Sequence, residues 1–130
     1  MGYTHYFEQL RPLTENEFSE LVKVTKRIIK LANDDGIEIC DGNGNGEPII
    51  TDELIQLNGS SHNDNDHETF MIQRDKKYGD FCKTARKPYD AVVVSILHYM
   101  KHCISDAYDI SSDGDDIVID CPIYDYREVK

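Results

Sequence analysis

The sequence predicts an α+β fold: a mainly antiparallel sheet with two helices packed on one of its faces, on a split βαβ plan. Three observations carry this. Two stretches, one from Thr14 to about Asn33 and one from about Pro88 to Ser105, repeat apolar residues at helical spacing. Short alternating segments precede, separate and follow them. Their order, β-α-β-β(-β)-α-β, contains no internal repeat, and 130 residues suit one domain spanning 1–130.

Taken in order, GYTHYFEQL at 2–10 reads as a strand, with Tyr3, His5 and Phe7 on one face and Thr4, Tyr6 and Glu8 on the other. Thr14-Glu15-Asn16-Glu17 is a capping box, and Leu13 with Phe18 fits a hydrophobic staple. Phe18, Leu21, Val22, Thr25, Ile28, Ile29 and Ala32 then mark the buried face of the first helix, which Gly36 ends. Ile37 to Cys40 alternates as a short strand, and 41–48 is a glycine- and asparagine-rich turn. Asp52 to Leu57 fits a strand or a short turn of helix. Residues 58–66 are a polar loop, His67 to Gln73 a strand, and 74–80 a charged connection. Proline suits a first helical position, so the second helix is expected from Pro88, with Val92, Val93, Ile96, Leu97, Met100, Cys103 and Ile104 as a wide apolar face. SSDGDD reads as a turn and Ile117 to Ile119 as the last strand.

The net charge of −11 speaks against general binding to nucleic acid or to an anionic membrane, and suits either solubility or an acidic surface that meets a basic partner. No apolar stretch approaches a membrane span. The start lacks the basic and apolar regions of a secretory signal, and Tyr6 breaks the myristoylation pattern. Cys40, Cys82, Cys103 and Cys121 form no C-x-x-C pair, so reduced thiols and a cytoplasmic setting are expected.

Against this acidity, Lys83, Arg86 and Lys87 gather before the second helix. A helix N-terminus offers free amides and a positive dipole end, so cations belong there only if an anion does too. Either Asp90 satisfies the cluster internally, or a phosphate or carboxylate ligand does, with Thr84 beside it and Arg86 as a bidentate fork. Tyr3, Tyr6 and Tyr89 are candidates to stack on a base or simply to pack, and His5 and His67 are candidate pocket contacts. Asp41, Asn43, Asn45 and Asp52 fall at calcium-loop positions, yet the segment before them is a strand and position 12 lacks its glutamate, which favours a hairpin loop. His98 and His102, four apart on a helix, have zinc spacing without an evident third ligand, and read by default as surface histidines.

GYTHYF at 2–7, HETF at 67–70, FCKTARKPYD at 81–90 and SSDGD at 111–115 together resemble a family of small uncharacterised proteins of bacteriophages and bacteria that begin Gly-Tyr-Thr-His-Tyr. The resemblance spans nearly the whole chain, and 81–90 is its most specific part. It implies a phage or prophage origin and gathers these polar segments into one site.

The expectation is therefore a cytoplasmic protein that binds a small anionic ligand of nucleotide type, and that in a phage setting sequesters a host immune signal. The ligand-binding set is Tyr3, His5, Tyr6, His67, Lys83, Thr84, Arg86, Lys87, Tyr89 and Asp90. One alternative is a small enzyme on such a nucleotide, with His5 or His67 as general acid or base and Cys82 as a possible nucleophile. Another is an acidic inhibitor of a host defence protein. No Walker loop, G-x-G-x-x-G or nucleophile motif is present, so no cofactor is expected, and a homodimer suits a chain of this size.

Overall fold

The computed structural model describes residues 4–75, 79–113 and 122–127. Among the described residues are two α-helices and seven strands: β1 (Thr4–Gln9), α1 (Glu15–Asp34), β2 (Ile39–Cys40), β3 (Ile49–Ile50), β4 (Leu54–Gly59), β5 (Phe70–Gln73), β6 (Gly79–Lys83), α2 (Asp90–Cys103) and β7 (Tyr108–Ser112). All strand pairs are antiparallel, which makes the fold α+β.

The strands form two sheets, ordered β6-β1-β7 and β2-β4-β3, with β5 also pairing β4. Because β6 and β7 both run antiparallel to β1, they are parallel to each other, and α2 connects them. That is a split βαβ unit with β1 inserted between its strands. The register places Thr4 opposite Lys83, His5 opposite Cys82 and Ser112, and Tyr6 opposite Phe81 and Ser111. Phe7 of β1 packs on Phe70 of β5, with ring centroids 5.3 Å apart, so the two sheets meet through aromatic contact.

The helices form as their sequence dictates. Thr14 accepts the Glu17 amide and Glu17 accepts the Thr14 amide, completing the capping box. Phe18, Leu21, Thr25, Ile28, Ile29 and Ala32 are buried as expected; Val24 joins them and Val22 is half-buried. In α2 the run from Val92 to Met100 is buried all round, as for a helix covered by both α1 and the sheets. Buried side chains of both helices and both sheets form one cluster.

Several expectations are corrected. Asp52 to Leu57 resolves as strand β4 after a Thr51–Leu54 turn, in which Thr51 caps the amides of Glu53 and Leu54. The strand expected from His67 begins only at Phe70, because the Asn58 side chain takes both the amide and the carbonyl of His67. The charged connection at 74–80 gives way to β6, whose exposed Phe81 and buried Cys82 alternate across the sheet. Helix α2 starts at Asp90, with Pro88 in the preceding turn. Ser111 and Ser112, expected in a turn, are paired to β1. The strand expected at 117–119 lies outside the described residues. Gly59 ends β4 at a close approach: a Cβ there would lie 2.0 Å from the Asn65 carbonyl oxygen.

Arg11 links α1 to the segment after α2, forking onto Glu17 at 2.8 and 2.9 Å and onto Asp106 at 2.9 and 3.0 Å. The Arg11 guanidinium, then the Thr14 amide, holds the Glu17 carboxyl down at about 2, against 4.5 ordinarily. A depressed carboxylate stabilises the fold above its unfolded value, and that contribution is lost as pH falls from about 4.5 towards about 2. Urea titrations should show Glu17→Gln losing stability at pH 7 while its decline over that acid window becomes shallower. Thr14→Ala should cost about 1 kcal/mol at pH 7.

Candidate functional site

Two groups of polar and aromatic residues lie at the end of the β6-β1-β7 sheet, on opposite faces. The first is inside. His5 is fully buried. Its Nε2 lies 2.7 Å from Asp90 Oδ1, and its Nδ1 lies 2.6 Å from Ser112 Oγ. Thr84, also buried, donates its hydroxyl to the same Asp90 oxygen at 2.6 Å. An ionised carboxylate only accepts, so the Asp90 contact fixes the proton on His5 Nε2. In the neutral ring Nδ1 is then an acceptor for the Ser112 hydroxyl. One hydrogen-bonded chain therefore runs Ser112–His5–Asp90–Thr84, through β7, β1, the start of α2 and the residue after β6.

This arrangement revises the reading of the helix mouth. The Asp90 carboxylate is taken by His5 and Thr84 and caps no amide of the helix. The first amides of α2 are taken as well: Asp90, Ala91 and Val92 donate to the carbonyls of Lys87, Pro88 and Tyr89 at 2.8, 3.2 and 3.0 Å. The amide cradle expected for an anion is closed by its own turn. Lys87 is half-buried and donates to the Asp64 carbonyl at 2.8 Å, with the Asp64 carboxylate 3.8 Å away.

Tyr89 packs and does not stack outward. It is fully buried, and its hydroxyl donates to the Glu68 carbonyl at 2.6 Å. Burial pushes that phenol far above its ordinary value. His67 is exposed in the loop before β5, and the contacts found for it are made by its backbone. Cys82 is buried with its thiol on the Glu68 carbonyl, a packing role and not that of an exposed nucleophile. Tyr3 lies outside the described residues.

The second group is on the outer face. Tyr6 and Phe81 stand directly opposite each other and are 43% and 51% exposed. Directly opposed residues place their side chains within contact distance. Lys83, two residues beyond Phe81, shares this face and is exposed. The Tyr6 hydroxyl donates to Asp113 at 2.9 Å, and this bond raises the phenol's pKa. The exposed Arg86 follows in the next turn. The ligand set expected from the sequence omits Phe81, Ser112 and Asp113, which enter there only through the FCKTARKPYD and SSDGD segments. Alternation within GDFCK carried the signal for Phe81.

The turn joining β6 to α2 is strained. Ala85 and Arg86 have φ of 52° and 57°, and the Lys87 amide donates to the Thr84 carbonyl at 3.0 Å. Two positive φ values in succession are the pattern of a type I′ turn, which prefers Asn-Gly. Here the sequence is Ala-Arg, held by the Thr84–Asp90 bond on one side and the Lys87–Asp64 contacts on the other.

The remaining candidates separate. Asp41 Oδ1 accepts the amides of Asn43 and Asn45, and Asn45 Oδ1 accepts the Ser61 hydroxyl, which ties the loop together; the strands on either side of it, β2 and β3, both pair with β4 and not with each other, which corrects the hairpin reading. Asp52 lies beyond β3, lining a cavity of about 370 Å³ with Glu15, Asn16, Ser19, Val22 and Arg74. His98 is buried, edge-on to His102 at 4.4 Å and 3.9 Å from Asp125, which corrects the surface reading for it. Among the described residues no group of three or more His, Cys, Asp or Glu side chains could hold a metal ion.

No protein-family model, no curated protein and no solved structure matches this chain.

Ala85→Gly should relieve the left-handed strain and raise stability by about 1 kcal/mol, whereas Ala85→Val should lower it by about 1–2 kcal/mol. Denaturant midpoints read both. A Gly variant no more stable than wild type would mean the turn relaxes without cost.

Proposed function

We propose that the chain binds a small anionic ligand of nucleotide type on the outer face of its β6-β1-β7 sheet. The observation that carries this reading is the opposed, half-exposed pair Tyr6 and Phe81 with Lys83 beside it on one face. Two adjacent aromatic rings on a rigid sheet offer a stacking platform, and every nucleobase has a face to stack. Lys83 and Arg86 supply the phosphate contacts, the first as a point charge and the second as a fork. Asp113 supplies an acceptor for a ribose hydroxyl or a base N–H. The anion sits over the turn and not on the amides of α2, which are already bonded.

The resemblance of the four polar segments to phage and bacterial proteins gives the setting for this reading: a phage-type protein that withdraws a host nucleotide signal in the cytoplasm. No described helix is long and apolar enough to cross a membrane, and the net charge of −11 suits a small ligand better than a polyanion.

Calorimetric titration with linear nucleotides, cyclic nucleotides and ADP-ribose tests it. Stacking on aromatic side chains contributes about 1–3 kcal/mol per base, so the double variant Tyr6→Ala/Phe81→Ala should weaken binding roughly ten-fold to a hundred-fold. Lys83→Ala/Arg86→Ala should weaken it too and flatten its salt dependence. All four side chains are exposed, so both variants should fold. If no nucleotide binds, or binding is indifferent to both variants, the reading fails.

A further inference from the structure

The buried chain on the other face is not used by the platform, and it has a chemistry of its own. From Ser112 Oγ to His5 Nδ1 is 2.6 Å, and from His5 Nε2 to Asp90 Oδ1 is 2.7 Å. A hydroxyl, an imidazole and a carboxylate in this sequence are the parts of an activated nucleophile: the base takes the hydroxyl proton, and the carboxylate fixes the base's tautomer and stabilises its charged form. The ring is used in the opposite sense to the serine-protease pattern, with Nδ1 towards the serine. The proton arithmetic is unchanged, since each nitrogen has the partner its role requires.

Three further observations favour a reactive serine over a purely structural tie. His5 is held between β1, β7 and α2 with no exposed surface, so its orientation is fixed before any substrate arrives. Thr84 completes the carboxylate at 2.6 Å, giving Asp90 a second donor as positioning carboxylates commonly have. Ser112 ends a strand and, like Asp90, is only partly buried, so the hydroxyl end of the chain reaches the surface while His5 and Thr84 do not.

We propose that Ser112 is a nucleophile towards carboxylic esters, with His5 as its general base and Asp90 and Thr84 as positioning residues. In the first step the Ser112 oxygen bonds to the ester carbonyl carbon and its proton passes to His5 Nδ1. The C–O bond to the alcohol then breaks, and the alcohol leaves with that proton. In the second step water attacks the acyl-serine, gives its proton to His5, and releases the carboxylic acid while Ser112 regains its hydrogen. The amide that follows the nucleophile, which often helps to hold the oxyanion, here donates to the Thr4 carbonyl at 2.9 Å. Turnover is therefore expected to be slow, and trapping the serine is the more sensitive readout.

The test is labelling of the full chain with a fluorophosphonate probe. The Ser112 oxygen would form a bond to phosphorus, fluoride would leave, and the proton would pass through His5 to solvent. Peptide mass spectrometry should place the adduct on Ser112 in at least ten-fold excess over Ser111, its more exposed neighbour. Ser112→Ala should abolish the adduct and slow p-nitrophenyl acetate hydrolysis to the solvent rate. Asp90→Asn, nearly isosteric, should slow labelling at least a hundred-fold while circular dichroism stays native. The Ser112-to-Ser111 ratio needs no variant and settles the matter should Asp90→Asn unfold. A ratio near one, the absence of any adduct, or a folded Asp90→Asn protein labelling within three-fold of wild type would overturn the proposal. None of these readouts involves Tyr6, Phe81 or Lys83, so failure here is distinguishable from failure of the nucleotide reading.

Discussion

The architecture at one end of this molecule depends on a single carboxylate. Asp90 opens α2 and points back to receive His5 from β1 and Thr84 from the turn after β6. A carboxylate only partly exposed to water is costly unless it is hydrogen-bonded, and a buried imidazole or hydroxyl without an acceptor is costly in turn. Each partner therefore requires the others. Since His5 also holds Ser112, the constraint reaches β7, and four separate segments are fixed by three side-chain bonds. Backbone pairing sets the strands' register; the carboxylate sets where the helix meets them.

What was legible in the sequence follows from the range of each interaction. The first helix was readable nearly to the residue, because a capping box and a repeating apolar face act within a turn or two of the chain. The α+β class was readable for the same reason. Strand β6 was hidden by the cations that surround it, which drew attention to charge and away from the alternation of Phe81 and Cys82. The sequence leaves open whether Tyr89 stacks or packs, because its neighbours Lys87, Pro88 and Asp90 are all more exposed than it is. The His5–Ser112 contact joins positions 107 apart, and no local pattern announces such a pairing.

The cationic turn is explained differently from what its composition suggested. The first amides of the helix mouth are already bonded to its own carbonyls. The cations are carried on a turn that neither Ala85 nor Arg86 favours, pinned at Thr84 and at Lys87. Strain of this kind persists only where the surroundings over-determine the backbone. It fixes the backbone of the exposed Arg86, whose amide donates to Thr84 Oγ1 at 3.4 Å, so the same Thr84 hydroxyl serves the buried chain on one side and the backbone of an exposed cation on the other.

The central strand of the split unit precedes both of its neighbours in sequence, with consequences for biogenesis. β1 emerges from a ribosome long before either neighbour exists: β6 follows some seventy residues later and β7 about a hundred. Until then both edges of an aromatic-rich strand are open. Helix α1 can form early, since its cap and apolar face are local, but the sheet must close after most of the chain has been made. Folding of this kind is slow for the chain's length and leaves a sticky edge available in the interval. Synthesis rate and chaperone supply, more than the stability of the finished protein, should therefore govern how much of it accumulates in folded form.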